Sequence, residues 1–313
     1  MTPPSALPDP RRNAYRSDLA DSALASVVAA ARFVDGSPGQ ILRASVPLRR
    51  NPSPTEPFDT EVLFGERVRV FDVVEGWAWV QLERDRSVGY LSADAVSREV
   101  RATTHKVRAI GTFVHPRPDI KSPPMMHLSI GAELCIAETG EQFHRLESGG
   151  FVPARHVVEA DRHARDFVDI AERLIGTPYL WGGRTRVGID CSGLVQVSLE
   201  AAGLAAPRDS DMQRAELGDE IEIGPELEGL ERGDLVFWQG HVGMMADGLM
   251  LLHANAHHMA VAIETLPEAV ARLSKTNGPI PAVRRPAGRA VAGTGAECTR
   301  GDFAQHDASV CGA

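Results

Sequence analysis

Cysteine is scarce: Cys135, Cys191, Cys298 and Cys311 are the only four in 313 residues, and no two stand at CxxC or another metal-ligand spacing. That excludes a disulfide framework for a chain of this length and offers no zinc-ribbon pattern. Long apolar runs are missing as well. Every candidate is cut by Arg, Asp, Glu or Gly before it reaches the ~18 residues of a bilayer-spanning helix. Positive charge is not in excess. Lys and Arg number 33 against 42 Asp and Glu, a net charge of −9, which argues against a nucleic-acid or anionic-membrane partner held by electrostatics. Asp9, Asp18 and Asp21 stand where an export signal would be apolar, so the chain reads as cytoplasmic. What remains is the composition of a soluble globular protein, 43% hydrophobic and 24% charged. Its length allows two domains of about 150 residues, or more if some are small β barrels.

With 29 glycines and 21 prolines, many turns and short strands are expected. Residues 1–35 open Pro-rich and then place Leu19, Ala23, Leu24, Val27, Val28 and Ala31 at helical intervals, which predicts a helical arm. Residues 36–99 change to short β-rich runs separated by Gly, Pro and Asp turns, and predict a small barrel of about five strands. Residues 100–160 repeat the pattern loosely. Leu63-Phe64-Gly65-Glu66 has its counterpart in Ile130-Gly131-Ala132-Glu133, and Gly89-Tyr90-Leu91 in Gly150-Phe151-Val152. Trp77 and Trp79 alternate on one strand, so one should be core and the other should face an interface. From 161 to 286 the texture is mixed. Phe167, Ile170, Ala171, Leu174 and Ile175 predict a helix ended by Gly176 and Pro178, and a second helix runs from Cys191 to Gly203. Strands follow at 234–238, 242–245 and 249–253, so helices precede strands and the class is α+β. Residues 287–313 are small, polar and aperiodic, read as disordered, and take Cys298 and Cys311 with them.

Cys191 falls at the start of a helix, where the positive end of the macrodipole favours a thiolate. A lone cysteine there also reads as a small buried hydrophobe. His241 opens one strand and His253 ends the next, so a hairpin could bring both imidazoles to one end of a sheet, giving nucleophile, base and orienter. A zinc site from Cys191, His241, His253 and either His257 or His258 is the competing reading. Its only short spacing is the adjacent His257-His258 pair, expected to point apart on a strand. The thiol reading requires no metal or cofactor.

Three runs carry a resemblance. Thr177-Pro178-Tyr179-Leu180-Trp181-Gly182-Gly183, Asp190-Cys191-Ser192-Gly193-Leu194-Val195, and Arg232-Gly233-Asp234-Leu235-Val236-Phe237-Trp238 with Gly240-His241-Val242-Gly243 resemble, over about 165–285, the NlpC/p60 family of cell-wall cysteine peptidases. The resemblance implies a papain-like α+β catalytic domain with Cys191 as nucleophile, His241 as base and His253 as third member. It also implies cleavage of peptidoglycan stem peptides between γ-linked D-glutamate and a diamino acid. Residues 36–99 and 100–160 resemble bacterial SH3-like domains. These accompany the catalytic domain in a subgroup that acts on freed muropeptides with a free N-terminal L-Ala. By that resemblance Tyr179 borders the oxyanion site, Asp190 and Ser192 flank the nucleophile in the substrate pocket, and Asp209 and Ser210 bind the dipeptide's amine and backbone. A helix N-cap is the plainer role for Asp190 and for the Asp209-Ser210 pair. One departure stands out: related first SH3-like domains carry a tyrosine in a turn where this chain has Ser87, with Tyr90 or Glu61 as substitutes. The expected partner is a muropeptide that yields L-Ala-D-Glu. An amidase or acyltransferase with the same triad, or a non-catalytic wall-binding protein, are the alternatives.

Overall fold

The computed structural model describes residues 7–224 and 227–287. The tail expected to be disordered, beyond Ala287, lies outside the described residues, with Cys298 and Cys311.

The N-terminal segment is not the helical arm its periodicity predicts. It forms a two-residue strand, Ala20–Asp21, a 3-10 turn, Ser22–Leu24, and a second short strand, Phe33–Val34, paired in parallel with the first. Ala23, Val27 and Ala31 of the supposed apolar stripe are exposed. Tertiary anchors prevail over the local pattern. Leu19 and Ala14 pack against Phe71 and Trp79, and buried Asp21 pairs with Arg69 at 2.6 Å.

Residues 36–99 fold as a five-stranded antiparallel sheet in the order Val88–Ser92, Trp77–Leu82, Arg67–Val74, Ser37–Ile41, Val96–Ser97, with a separate hairpin of Ser45–Leu48 and Thr60–Leu63. Alternate residues Val68, Val80, Leu82, Leu91 and Ile41 meet Leu48 and Val62 in one core. The strands divide between two sheets instead of closing into the expected barrel. Trp79 is the buried member of the tryptophan pair, and it packs on the N-terminal segment. Residues 100–160 form three smaller sheets around Val107, Val114, Leu128, Leu134, Leu146 and Val152. Two local features recur in both segments. Gly65 and Gly131 adopt φ of 83° and 85°, and 3-10 turns at Ala93–Ala95 and Ala154–His156 follow equivalent strands.

The remainder is α+β. Helix α1 spans Phe167–Glu172, α2 Cys191–Ala201, α3 Ser210–Glu216 and α4 Leu266–Leu273. A six-stranded antiparallel sheet runs in the order Asp219–Glu220, Ala282–Arg285, Leu235–Trp238, His241–Met245, Met250–Asn255, Ala260–Thr265. Every residue of α2 from Cys191 to Leu199 is buried. Leu194, Val195 and Leu199 share a core with Phe237, Val242, Met244 and Leu252 of the sheet. The 36–99 domain docks on this layer through buried charge. Arg184, with no exposed surface, donates to the Glu61 carbonyl at 3.0 Å and pairs with Glu66 at 3.3 Å and Glu200 at 3.1 Å. Arg84 adds bridges to Glu66, Glu133 and Glu200 at 2.8–2.9 Å.

Candidate active site

The segment before α2 has to turn back on itself so that Cys191 opens the helix. Gly182 makes this turn at φ +76°, and a Cβ there would lie 2.5 Å from Phe58 Cβ. Its N–H donates to Asp190 Oδ2 at 2.8 Å. Asp190 is the N-cap, its Oδ1 accepting from the Gly193 N–H at 2.7 Å, so the plainer capping role is present in the fold. Cys191 is 8% exposed. Burial, followed by the negative charge of Asp190, pushes the thiol up to about 12, against the smaller opposing pull of the Val242 and Ser192 backbone N–H groups. The dipole-stabilised thiolate expected from sequence is therefore not the resting form, because desolvation of the sulfur anion outweighs the helix terminus.

His241 and His253 meet as the hairpin predicts. Register Met244↔Leu252, extended by one residue, sets His253 beside Gly243 and diagonal to His241. His241 Nε2 lies 2.8 Å from His253 Nδ1, and His253 Nε2 lies 2.7 Å from Glu264 Oε1. Glu264 is in turn held by the Arg272 guanidinium of α4. The carboxylate can only accept, which settles the chain: His253 Nε2–H donates to Glu264, His253 Nδ1 accepts from His241 Nε2–H, and His241 Nδ1 is left with a free lone pair. Burial lowers both imidazoles to about 3, so at neutral pH the resting histidines are uncharged. Glu264 was not foreseen from sequence. It faces His253 only because the pairing His253↔Ala262 puts residue 264 two positions along on the same face.

Arg208 is the second residue the sequence reading passed over. Fully buried, it donates to Asp190 Oδ2 at 2.7 Å, to Ser192 Oγ at 2.7 Å and, from Nε, to Thr60 Oγ1 of the 36–99 domain at 2.8 Å. One guanidinium thus ties both residues beside Cys191 to the neighbouring domain. Asp209 and Ser210 follow at the start of α3. Asp209 has the backbone of an N-cap but makes no capping bond with its side chain. Its carboxylate instead lines a cavity of about 510 Å³ with Arg11, Tyr15, Asp59, Tyr90 and Arg208. Burial raises the pKa of Asp209, opposed by the charges of Arg208 and Arg11. Tyr179 is bridged to Ile189. Burial, then the charges of Cys191 and Asp190, push its phenol up to about 12, keeping it a hydrogen-bond donor.

Of the two residues considered in place of the missing turn tyrosine, Glu61 is committed to structure, accepting from the Arg184 N–H at 2.9 Å and Ser45 Oγ at 3.0 Å. Tyr90 lines the cavity and accepts from Arg16 at 2.8 Å. The zinc grouping from sequence does not assemble as expected: His257 and His258 lie in a turn, not on a strand, with their rings 4.8 Å apart. Among the described residues His253, His258 and Glu264 bring donor atoms within 4.8 Å of one another, but Arg272 already supplies the cation that Glu264 faces.

Comparison with known proteins agrees with this architecture. Residues 176–274 match the NlpC/P60 family, and residues 48–96 match the bacterial dipeptidyl-peptidase Sh3 domain. The chain is similar to Dipeptidyl-peptidase 6 of Lysinibacillus sphaericus, 28% identical over 66% of this chain and 84% of that protein. It is also similar to a gamma-D-glutamyl-L-lysine dipeptidyl-peptidase of Bacillus subtilis, 32% identical over 34% of this chain and 37% of that one. In structure it resembles an NlpC/P60 family protein from Bacillus cereus, with a TM-score of 0.66 and 17% identity over 80% of this chain and 99% of the other; that likeness is one of fold. The chain therefore carries an NlpC/P60 domain of papain-like α+β fold, a peptidase-type hydrolase domain, behind an SH3 domain.

Proposed function

We propose that this NlpC/P60 domain is a cysteine peptidase acting on muropeptides: it hydrolyses the bond between γ-linked D-glutamate and a diamino acid in stem peptides with a free N-terminal L-Ala, and releases L-Ala-D-Glu. The observation that carries the reading is the chain Glu264–His253–His241. It ends at His241, next to Val242, whose backbone N–H acts on the Cys191 thiol, and Arg208, which holds Asp190 and Ser192 beside that thiol, also lines the cavity that Asp209 lines.

In this reading His241 Nδ1 takes the thiol proton as the sulfur attacks the γ-glutamyl carbonyl, so charge separates only when substrate is in place. The Cys191 backbone N–H, at a helix position with no intrahelical acceptor, and the Tyr179 hydroxyl receive the oxyanion. The imidazolium then gives its proton to the departing amine of the diamino acid. Water, deprotonated by His241, hydrolyses the thioester and frees the dipeptide. Asp209 receives the substrate ammonium, with Ser210 beside it, and Arg208 keeps Asp190 and Ser192 in position. A neutral, acylated N-terminus lacks the charge for that contact, which is the basis of dipeptide release. Residues 100–160 are assigned as a second SH3-like unit on the strength of the matching glycine turns, and dipeptide release in the cytoplasm is the setting this specificity serves.

The test is digestion of L-Ala-γ-D-Glu-diaminopimelate and its N-acetyl form, followed by mass spectrometry, with wild type and Cys191→Ala. Cleavage of the free-amine peptide alone, abolished in the variant, is expected. Equal cleavage of both would show an open-site endopeptidase, and cleavage of neither would move the assignment to another acyl donor or to a binding role.

A further inference from the structure

The N-terminal segment takes a position that the catalytic reading does not use. Its residues 8–16 are laid against the 36–99 domain by specific contacts. The Val88 N–H donates to the Arg11 carbonyl at 2.8 Å and Gln81 Nε2 donates to the Arg12 carbonyl at 2.8 Å, while within the segment the Tyr15 hydroxyl donates to the Pro8 carbonyl at 2.8 Å. The Arg16 guanidinium sits 4.3 Å from the Trp79 ring centroid. Held in this way, the segment delivers the Arg11 guanidinium to the carboxylate of Asp209, with Nη1 donating to Oδ2 at 2.8 Å. Two other carboxylates share the same guanidinium. Asp211 accepts at 3.0 Å and 2.8 Å, and Asp9 accepts from Nε at 3.1 Å and from Nη2 at 2.7 Å.

We propose that Arg11 is a specificity-determining residue: its guanidinium is an internal occupant of the Asp209 carboxylate, and a substrate ammonium has to exchange with it to bind. The proposal rests on the assignment of Asp209 to the substrate amine. A guanidinium and an ammonium compete for one carboxylate by the same charge-assisted hydrogen bonds. Exchange here costs Arg11 only its contact with Asp209, since Asp9 and Asp211 keep the side chain in place. Arg11 also offsets one of the three negative charges that Asp9, Asp209 and Asp211 bring together, so the cluster attracts a cation less than it would alone. The affinity of the cavity for a free amine is therefore set jointly by Asp209 and by a segment outside both matched domains.

Steady-state kinetics of wild type, Arg11→Met and Arg11→Lys on the free-amine and N-acetylated peptides test this, with thermal melts to establish that each variant is folded. Loss of the competing charge should lower KM for the free-amine peptide about three- to ten-fold, the size of one partly buried charge-assisted contact. kcat should stay within about two-fold, and the acetylated peptide should gain no cleavage. Arg11→Lys, which retains the charge, should stay near the wild-type KM. If wild type discriminates between the two peptides but Arg11→Met shows an unchanged or raised KM, Arg11 orients Asp209 and the proposal falls while the amine assignment stands. If wild type cleaves both peptides equally, the amine assignment falls, and the role of Arg11 falls with it.

Discussion

Two imidazoles in contact, both buried, would ordinarily leave tautomer and orientation undetermined, and here one carboxylate decides them. Glu264 accepts from His253 Nε2, which makes His253 Nδ1 an acceptor and turns the free lone pair of His241 outward. Glu264→Gln, which can present an N–H to His253, permits the opposite tautomer. It should lower kcat about ten-fold or more with KM little changed, since losing the carboxylate that fixes a general base's tautomer costs at least this much. An undiminished kcat would show that His253 is oriented by packing alone. None of this was legible along the chain. Cys191, His241 and His253 stand out by residue type and by their place at element ends, whereas Glu264 looks like any acid on an edge strand and acquires a role only through cross-strand register.

At the scale of elements, α2 sets the position of the sulfur, and its first turn tolerates no side chain at residue 193. A Cβ on Gly193 would lie 2.3 Å from the Gly183 carbonyl oxygen and 2.9 Å from Asp190 Oδ1. Gly193→Ala should therefore destabilise the fold by about 1–3 kcal/mol and lower the melting temperature, with kcat reduced because the cap that aims Cys191 is displaced. A melting curve superimposable on wild type would contradict this. The helices around Phe167 and Cys191 and the three predicted strands are recovered with ends shifted by up to three residues, because their apolar spacing coincides with what they bury. The N-terminal arm fails for the opposite reason. Its apolar residues have a helical period, but the contacts available to it, Trp79, Phe71 and Arg69, lie along an extended path.

For the whole molecule, buried charge and buried neutral histidine set opposite demands. Arg184 neutralises Glu66 and Glu200 at the junction of the two domains. Arg184→Met would leave those carboxylates with Arg84 as their one ion-pair partner and should cost about 3 kcal/mol in chemical denaturation; a loss under about 1 kcal/mol would mean that Arg84 suffices. His241 and His253 have folded pKa values lowered by burial to about 3, below the value near 6.5 of an unfolded chain. The unfolded state therefore binds more protons between those limits. Their contribution to stability is complete above about pH 6.5 and is lost as pH falls towards 3, by up to about 1.4 kcal/mol per pH unit for each ring. Melting temperature should fall more steeply between pH 6.5 and 4.5 in wild type than in His241→Asn. Parallel curves would show that His241 is not held neutral.

Residue type and order along the chain were enough to determine the α+β class of the C-terminal half, the β-rich modules ahead of it and the placing of Cys191 at a helix start and of His241 and His253 on neighbouring strands, because each depends on local periodicity. Only the tertiary structure decided that burial raises the Cys191 thiol, that Glu264 meets His253, that Arg208 couples Asp190 and Ser192 to Thr60, and that Arg11 reaches Asp209. Each of those depends on desolvation or on hydrogen-bond partners brought together from distant parts of the chain, 198 residues apart in the case of Arg11 and Asp209, and no local pattern encodes such a meeting.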